Sequence, residues 1–102
     1  MEYFESITPD GCIAIYKSRP GNTQLNFSFD PSYQETKIFL RVIHEFSSQN
    51  FGSIEIFGPE EKNICGSKFQ VYCQQRGEIT VVAIFSLPVD KQNLVDIGIF
   101  DW

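Results

Sequence analysis

The side chains able to do acid, base or nucleophilic chemistry are few and scattered along this chain. His44 is the only histidine, so a Ser-His-Asp triad, a Cys-His pair or a multi-histidine metal site could be assembled only around it. It falls on the polar side of a helical pattern, with no Cys or Asp spaced to suggest a dyad, and reads as a solvated helix histidine. Cys12, Cys65 and Cys73 show no CxxC spacing and have no histidine at metal-site distance, which signals neither a zinc site nor a disulfide framework. Cys12 and Cys73 sit inside strand-like runs and are expected to be buried apolar residues, whereas Cys65, in NICGS, is the accessible thiol. Glu60 and Glu61 are adjacent and so point apart, and Asp96 and Asp101 share only the last strand-like region; neither pair reads as an acid/base couple. The glycines of GPEEKNICG bracket carboxylates where a phosphate would bind. No catalytic residue, metal ligand or cofactor-binding residue is assigned, and the chain reads as a binding protein and not an enzyme.

Charge narrows the partner. Thirteen acidic against eight basic residues give a formal charge of -5 and a pI near 4.7, which disfavours a nucleic-acid surface and favours encounter with a basic protein. Simple solubility is the other use of such a charge. Basic and aromatic residues interleave at YKSRP and KFQVYCQQR, but strands with one buried face place aromatics in this way without any bases to stack on. The acidic start MEYFESITPDG lacks the basic segment of a secretory signal, and the longest apolar-rich run, Ile79 to Val89, falls far short of the ~20 residues of a membrane span. A reducing, cytoplasmic setting without membrane contact is expected.

The elements that would position these residues follow from periodicity. YFESI, CIAIYKS and TQLNFSFD, separated by the turn clusters TPDG and RPGN, predict a three-strand antiparallel meander from residue 3 to about residue 29. Ser32 with Glu35 has the form of a capping box. The helix it opens runs to Ser48, with Phe39, Val42, Ile43 and Phe46 on one face, Ile38 at its edge, and Lys37, Arg41, His44 and Glu45 on the other side. A short strand SIEIFG, a charged loop PEEKNICGS, a hairpin of KFQVYCQQ and EITVVAIFSLP, a turn PVDKQN and a last strand LVDIGIFDW complete the pattern. The second hairpin arm is apolar on both faces from Ile79 to Phe85, so both faces of the sheet are expected to be occupied. The expected fold is one α+β domain over residues 1–102: a mostly antiparallel sheet of six to seven strands with one amphipathic helix packed across it.

The strand pattern assigns Phe57, Tyr72, Phe100 and Trp102, with Tyr16 as a fifth, to faces turned away from the helix. Either a second layer covers these rings or they form a contact patch. Glu55 adjoins Phe57, Asp96 shares a strand face with Phe100, and Asp101 precedes Trp102; ring anchors among carboxylates suit a partner rich in Lys and Arg. The contact residues expected on this reading are Glu55, Phe57, Tyr72, Asp96, Phe100, Asp101 and Trp102.

In size, acidity, cytoplasmic character, aromatic content and lack of a catalytic set, the chain resembles the small acidic immunity proteins that neutralise bacterial toxins, including those of contact-dependent growth inhibition systems. The resemblance implies a tight one-to-one complex with a cognate basic toxin, often a nuclease, whose active site is blocked. It rests on no signature motif, and the family has many folds, so it carries over no binding residue. Two other classes stay open. One is a small-molecule-binding domain or enzyme with a pocket between sheet and helix using Tyr, Cys65 or His44; the other is a homodimer or scaffold subunit paired through its last strand as an edge.

Overall fold

The computed structural model of the chain describes residues 11–49 and 55–96. It is an α+β fold whose sheet contains five strands among these residues, all neighbours antiparallel. In chain order the elements are β1 (Cys12–Arg19), β2 (Asn22–Phe27), α1 (Tyr33–Ser47), β3 (Phe57–Ile64), β4 (Ser67–Arg76), β5 (Ile79–Phe85) and α2 (Lys91–Asp96). The sheet order is β2-β1-β5-β4-β3.

β1 and β2 form the expected hairpin, with Arg19 opposite Asn22 and Gly21 supplying the left-handed residue (φ +78°) of the turn. The meander is not as expected. β1 is flanked by β2 on one side and β5 on the other, and YFESI, the expected first strand of the meander, lies outside the described residues. The long-range β1–β5 pairing, Lys17 opposite Val81 and Ile15 opposite Ala83, places β5 at the centre of the sheet.

Helix α1 starts where the capping box placed it. The Glu35 N–H donates to Ser32 Oγ at 3.2 Å and the Ser32 hydroxyl donates to Glu35 Oε2 at 2.9 Å, contacts of a kind that contribute ~1 kcal/mol. Phe39, Ile43 and Phe46 are buried against the sheet, as the periodicity predicts. Phe39 gathers the rings of Phe27, Phe29 and Phe69, with centroids 6.0, 5.9 and 5.6 Å away in tilted and edge-on geometries. The helix packs on β5 and β3, and toward β2 the residues on this face, Tyr16, Leu25 and Phe27, are only half-buried.

Both sheet faces carry a core, as the doubly apolar run Val81–Phe85 requires. On the helix side lie Ala14, Val71, Cys73, Val82 and Ile84. The opposite face holds Ile15, Tyr72, Val81, Ala83 and Phe85, covered by Leu94 of α2 with Val89 and Ile56 at its margin.

Two further expectations are corrected. Residues 59–64, read as part of a charged loop, belong to β3: Glu60, Lys62 and Ile64 face α1 while Glu61 and Asn63 face the other way. An edge strand has one side in water and needs no apolar alternation to hold its place, so the composition of a loop fits it. The last segment was read as a strand from Leu94, but Leu94 to Asp96 are helical. The Gln92 N–H donates to Asp90 Oδ1 at 3.0 Å and the Leu94 N–H to the Asp90 carbonyl at 3.1 Å, so Asp90 caps a helix within what reads as the turn PVDKQN. No helix among the described residues is long and apolar enough to cross a membrane.

Candidate binding surface at the edge strand

β3 enters the sheet through a register shift between Phe57 and Glu60. Gly58 sits in this bulge with φ +119°, and its Cα lies so close to β4 that an added Cβ would stand 2.5 Å from the Val71 carbonyl oxygen. The bulge opens a groove of about 590 Å³ lined by Glu55 to Glu60 and by Lys91 at the start of α2. A second depression of about 350 Å³ continues it past Gln74 and Gln92.

Phe57 stands on the rim, 36% exposed, its ring 6.4 Å from that of buried Phe46. It is therefore on the helix side of the sheet. The alternation of Ile56 and Phe57 is as expected, but Ile56 packs against the opposite core, so the assignment of the two faces is reversed. Tyr16 likewise lies on the helix side. Tyr72 does face away from the helix, yet it is fully buried and holds Val89 by hydrogen bonds, so it supports a surface and does not form one. Asp96, read as part of a strand, closes helix α2. Phe100, Asp101 and Trp102 lie outside the described residues. Of the expected contact set, the structure brings Glu55 and Phe57 together on one groove.

Residues that the sequence reading left out complete the site. Glu60 shares the groove, and Lys62 two positions on is held by Glu45 of α1 at 2.9 Å and Glu60 at 3.2 Å, with its ammonium 5.6 Å from the centre of the Phe46 ring. These partners raise the Lys62 pKa, the Glu45 hydrogen bond contributing most and that to Glu60 next. Three carboxylates, Glu45, Glu55 and Glu60, thus gather with two ammonium groups, Lys62 and Lys91, and the rim is net acidic. The signal available in sequence was the spacing of Glu60 and Lys62, which only a strand places on one side.

The outer side of α1 has the opposite character: Lys37 stands 5.5 Å from the centre of the 79%-exposed Tyr33 ring, and with Arg41 they line a depression of about 350 Å³. His44 is exposed on this helix, as expected. Burial pushes the Cys12 and Cys73 thiols up to about 12, whereas Cys65 is exposed at the β3–β4 turn. Among the described residues no cluster of His, Cys, Asp and Glu is arranged to hold a metal ion. No protein-family model, curated protein or solved structure matches this chain.

Proposed function

We propose that the chain is a protein-binding inhibitor of the immunity type, docking a cognate basic toxin through the β3 edge. The observation that supports this reading is Phe57: a half-exposed ring on a solid base of Phe46, standing over an open groove and flanked by Glu55 and Glu60. A preorganised ring loses little entropy on docking, and the carboxylates around it orient Lys and Arg side chains. The basic side of α1 would repel the same partner, so approach is directed to β3. A nuclease cleft offers the complementary chemistry.

The test is a binding titration against the product of the neighbouring gene, which this reading requires to be a basic protein. Phe57→Ala is expected to weaken the complex by about 30-fold, as for a central anchor, mainly through faster dissociation. Glu55→Lys is expected to slow association and to flatten its decline with salt. Binding indifferent to both substitutions and to ionic strength would overturn the proposal.

A second reading has one observation in its favour. The groove volume falls within the ~300–1,000 Å³ of small-molecule sites. It lies at the sheet edge, since the helix–sheet interface is filled by Phe39, Ile43 and Phe46. A ligand-induced rise in melting temperature that Gly58→Ala abolishes would support it.

A further inference from the structure

The two edges of the sheet are built differently. β3 carries Pro59, a register shift and the charged run Glu60, Glu61 and Lys62, each of which hinders pairing with another strand. β2, with the sequence NTQLNF, carries no charge and no proline, and all of its residues pair with β1 in unbroken register. Among the described residues no strand lies on its other side.

The ladder fixes which backbone groups of β2 point outward. The Ser28 N–H donates to the Ile13 carbonyl at 2.8 Å, which extends the pairing by one step and makes Ile13 and Ser28 a hydrogen-bonded pair. Such pairs alternate along an antiparallel ladder. Asn22, Gln24 and Asn26 therefore turn their N–H and C=O groups toward β1, and Thr23, Leu25 and Phe27 turn theirs away from it. The side chains of these last residues lie on the helix side, where Phe39 of α1 meets Phe27 while Tyr16, Leu25 and Phe27 stay half-buried beside Phe29, which is 41% exposed.

We propose that β2 is a dimerisation edge, along which a second copy of this chain adds its own β2 antiparallel about a two-fold axis at Leu25. In that register Leu25 meets Leu25 of the second copy, and Thr23 meets Phe27. These are the residues whose backbone groups point outward, so every outward donor of the strand finds an acceptor. On the other face Gln24 meets Asn26, an amide pair repeated by symmetry. The half-buried residues on the helix side join across the axis into one apolar strip. No like charges meet along the strand, although each body carries -5. The contact is smaller than the ~20–30 residues a side of a standard interface, so the dimer is weak, with Kd of about 10–100 µM.

Sedimentation equilibrium of the intact chain between about 10 µM and 1 mM tests the proposal. The expected result is a monomer–dimer equilibrium that strengthens with salt, because added ions screen the repulsion between two acidic bodies. This is the reverse of the salt dependence expected for a basic toxin, so the two readings stand or fall separately. Thr23→Lys, at an exposed position, should weaken the dimer at least about tenfold with the melting transition unchanged. Leu25→Pro removes an outward N–H and no bond to β1, and should weaken the dimer likewise, with some loss of stability because Leu25 packs on the helix-side core. Amide exchange at Thr23, Leu25 and Phe27 should slow with rising concentration, while Gln24 and Asn26 stay protected throughout. A monomer at every concentration, or a dimer insensitive to both substitutions, overturns the proposal. So does a monomer whose β2 amides become protected only on adding an unrelated extended peptide, since that gives the edge to a foreign strand.

Discussion

The phenol of Tyr72 and the backbone of Val89 exchange two hydrogen bonds: the hydroxyl donates to the Val89 carbonyl and the Val89 N–H donates back to the phenol oxygen, each at 2.8 Å. The ring is fully buried and edge-on to Phe85, with centroids 5.6 Å apart. One side chain thus ties the segment after β5 to the face of β4. That segment leads directly into α2, so the same tie sets where Leu94 enters the second core and where Lys91 meets the groove.

Tyr72→Phe keeps the ring and deletes the tie. The Val89 N–H then loses its partner in a partly buried place, and stability should fall by about 1–3 kcal/mol. Urea unfolding measures the loss, and amide exchange at Val89 should rise by more than at the β4 and β5 core amides. An unchanged midpoint would mean that water replaces the phenol without cost.

Much of this architecture was legible from spacing, and the failures have physical causes. The Ser32 cap on the Glu35 N–H, the buried face of Phe39, Ile43 and Phe46, and the doubly apolar Val81–Phe85 each follow a local rule, and each is found. The part of β3 beyond Gly58 was missed because Glu60 and Lys62 satisfy one another and Glu45 of α1, a long-range exchange invisible to a window of neighbours. The partnership of β1 with β5 is likewise non-local, since Cys12 and Phe85 are distant in sequence. Helix α2 was legible in principle, from Asp90 as its cap, but Leu94, Val95 and Asp96 suit a strand equally well over so short a span. Of the residues lining the groove, Glu55 and Phe57 were singled out in the sequence by their chemistry, Phe57 on the opposite face. The groove depends on the Gly58 bulge, which no pattern of residue types announces.

Gly58→Ala is the sharpest test of that bulge. Its φ of +119° is strained for any L side chain, and the new Cβ would press on the Val71 carbonyl oxygen and lie 3.3 Å from the Tyr72 Cα, both of them backbone. The loss should reach about 2–4 kcal/mol. Chemical-shift changes should concentrate at residues 56–60 and 71–72, and binding through Phe57 should fall with them. A variant as stable as the parent would show that β3 can enter the sheet by another path.

Cys65 and Gly66 form the two-residue turn between Ile64 and Ser67, with φ of +52° and +82°. Both values belong to the hairpin turn that favours Asn-Gly, and Cys is a poor occupant of its first position. Cys65→Asn should raise stability by about 0.5–1 kcal/mol. The substitution also removes the one exposed thiol among the described cysteines, so a thiol reagent that labels a single site on the native parent should label none on the variant.

The two buried thiols make the fold sensitive to alkali. Cys12 and Cys73 hold their protons up to about 12, against an ordinary 9.0, because burial penalises the thiolate. Above pH 9 the unfolded chain sheds thiol protons that the fold retains, and the folded state binds more protons than the unfolded one. Stability is therefore full below pH 9 and falls between pH 9 and about 12, by up to ~1.4 kcal/mol per pH unit for each thiol. Lys62 acts in the same direction at higher pH: its pKa is raised above 10.5 by Glu45 and Glu60, so its contribution is whole below 10.5 and disappears as pH rises through the folded value. Urea midpoints measured on either side of pH 9 should decline on the alkaline side, and Cys73→Ala should halve the initial slope. A slope unchanged in that variant would place the alkaline sensitivity in groups other than the buried thiols.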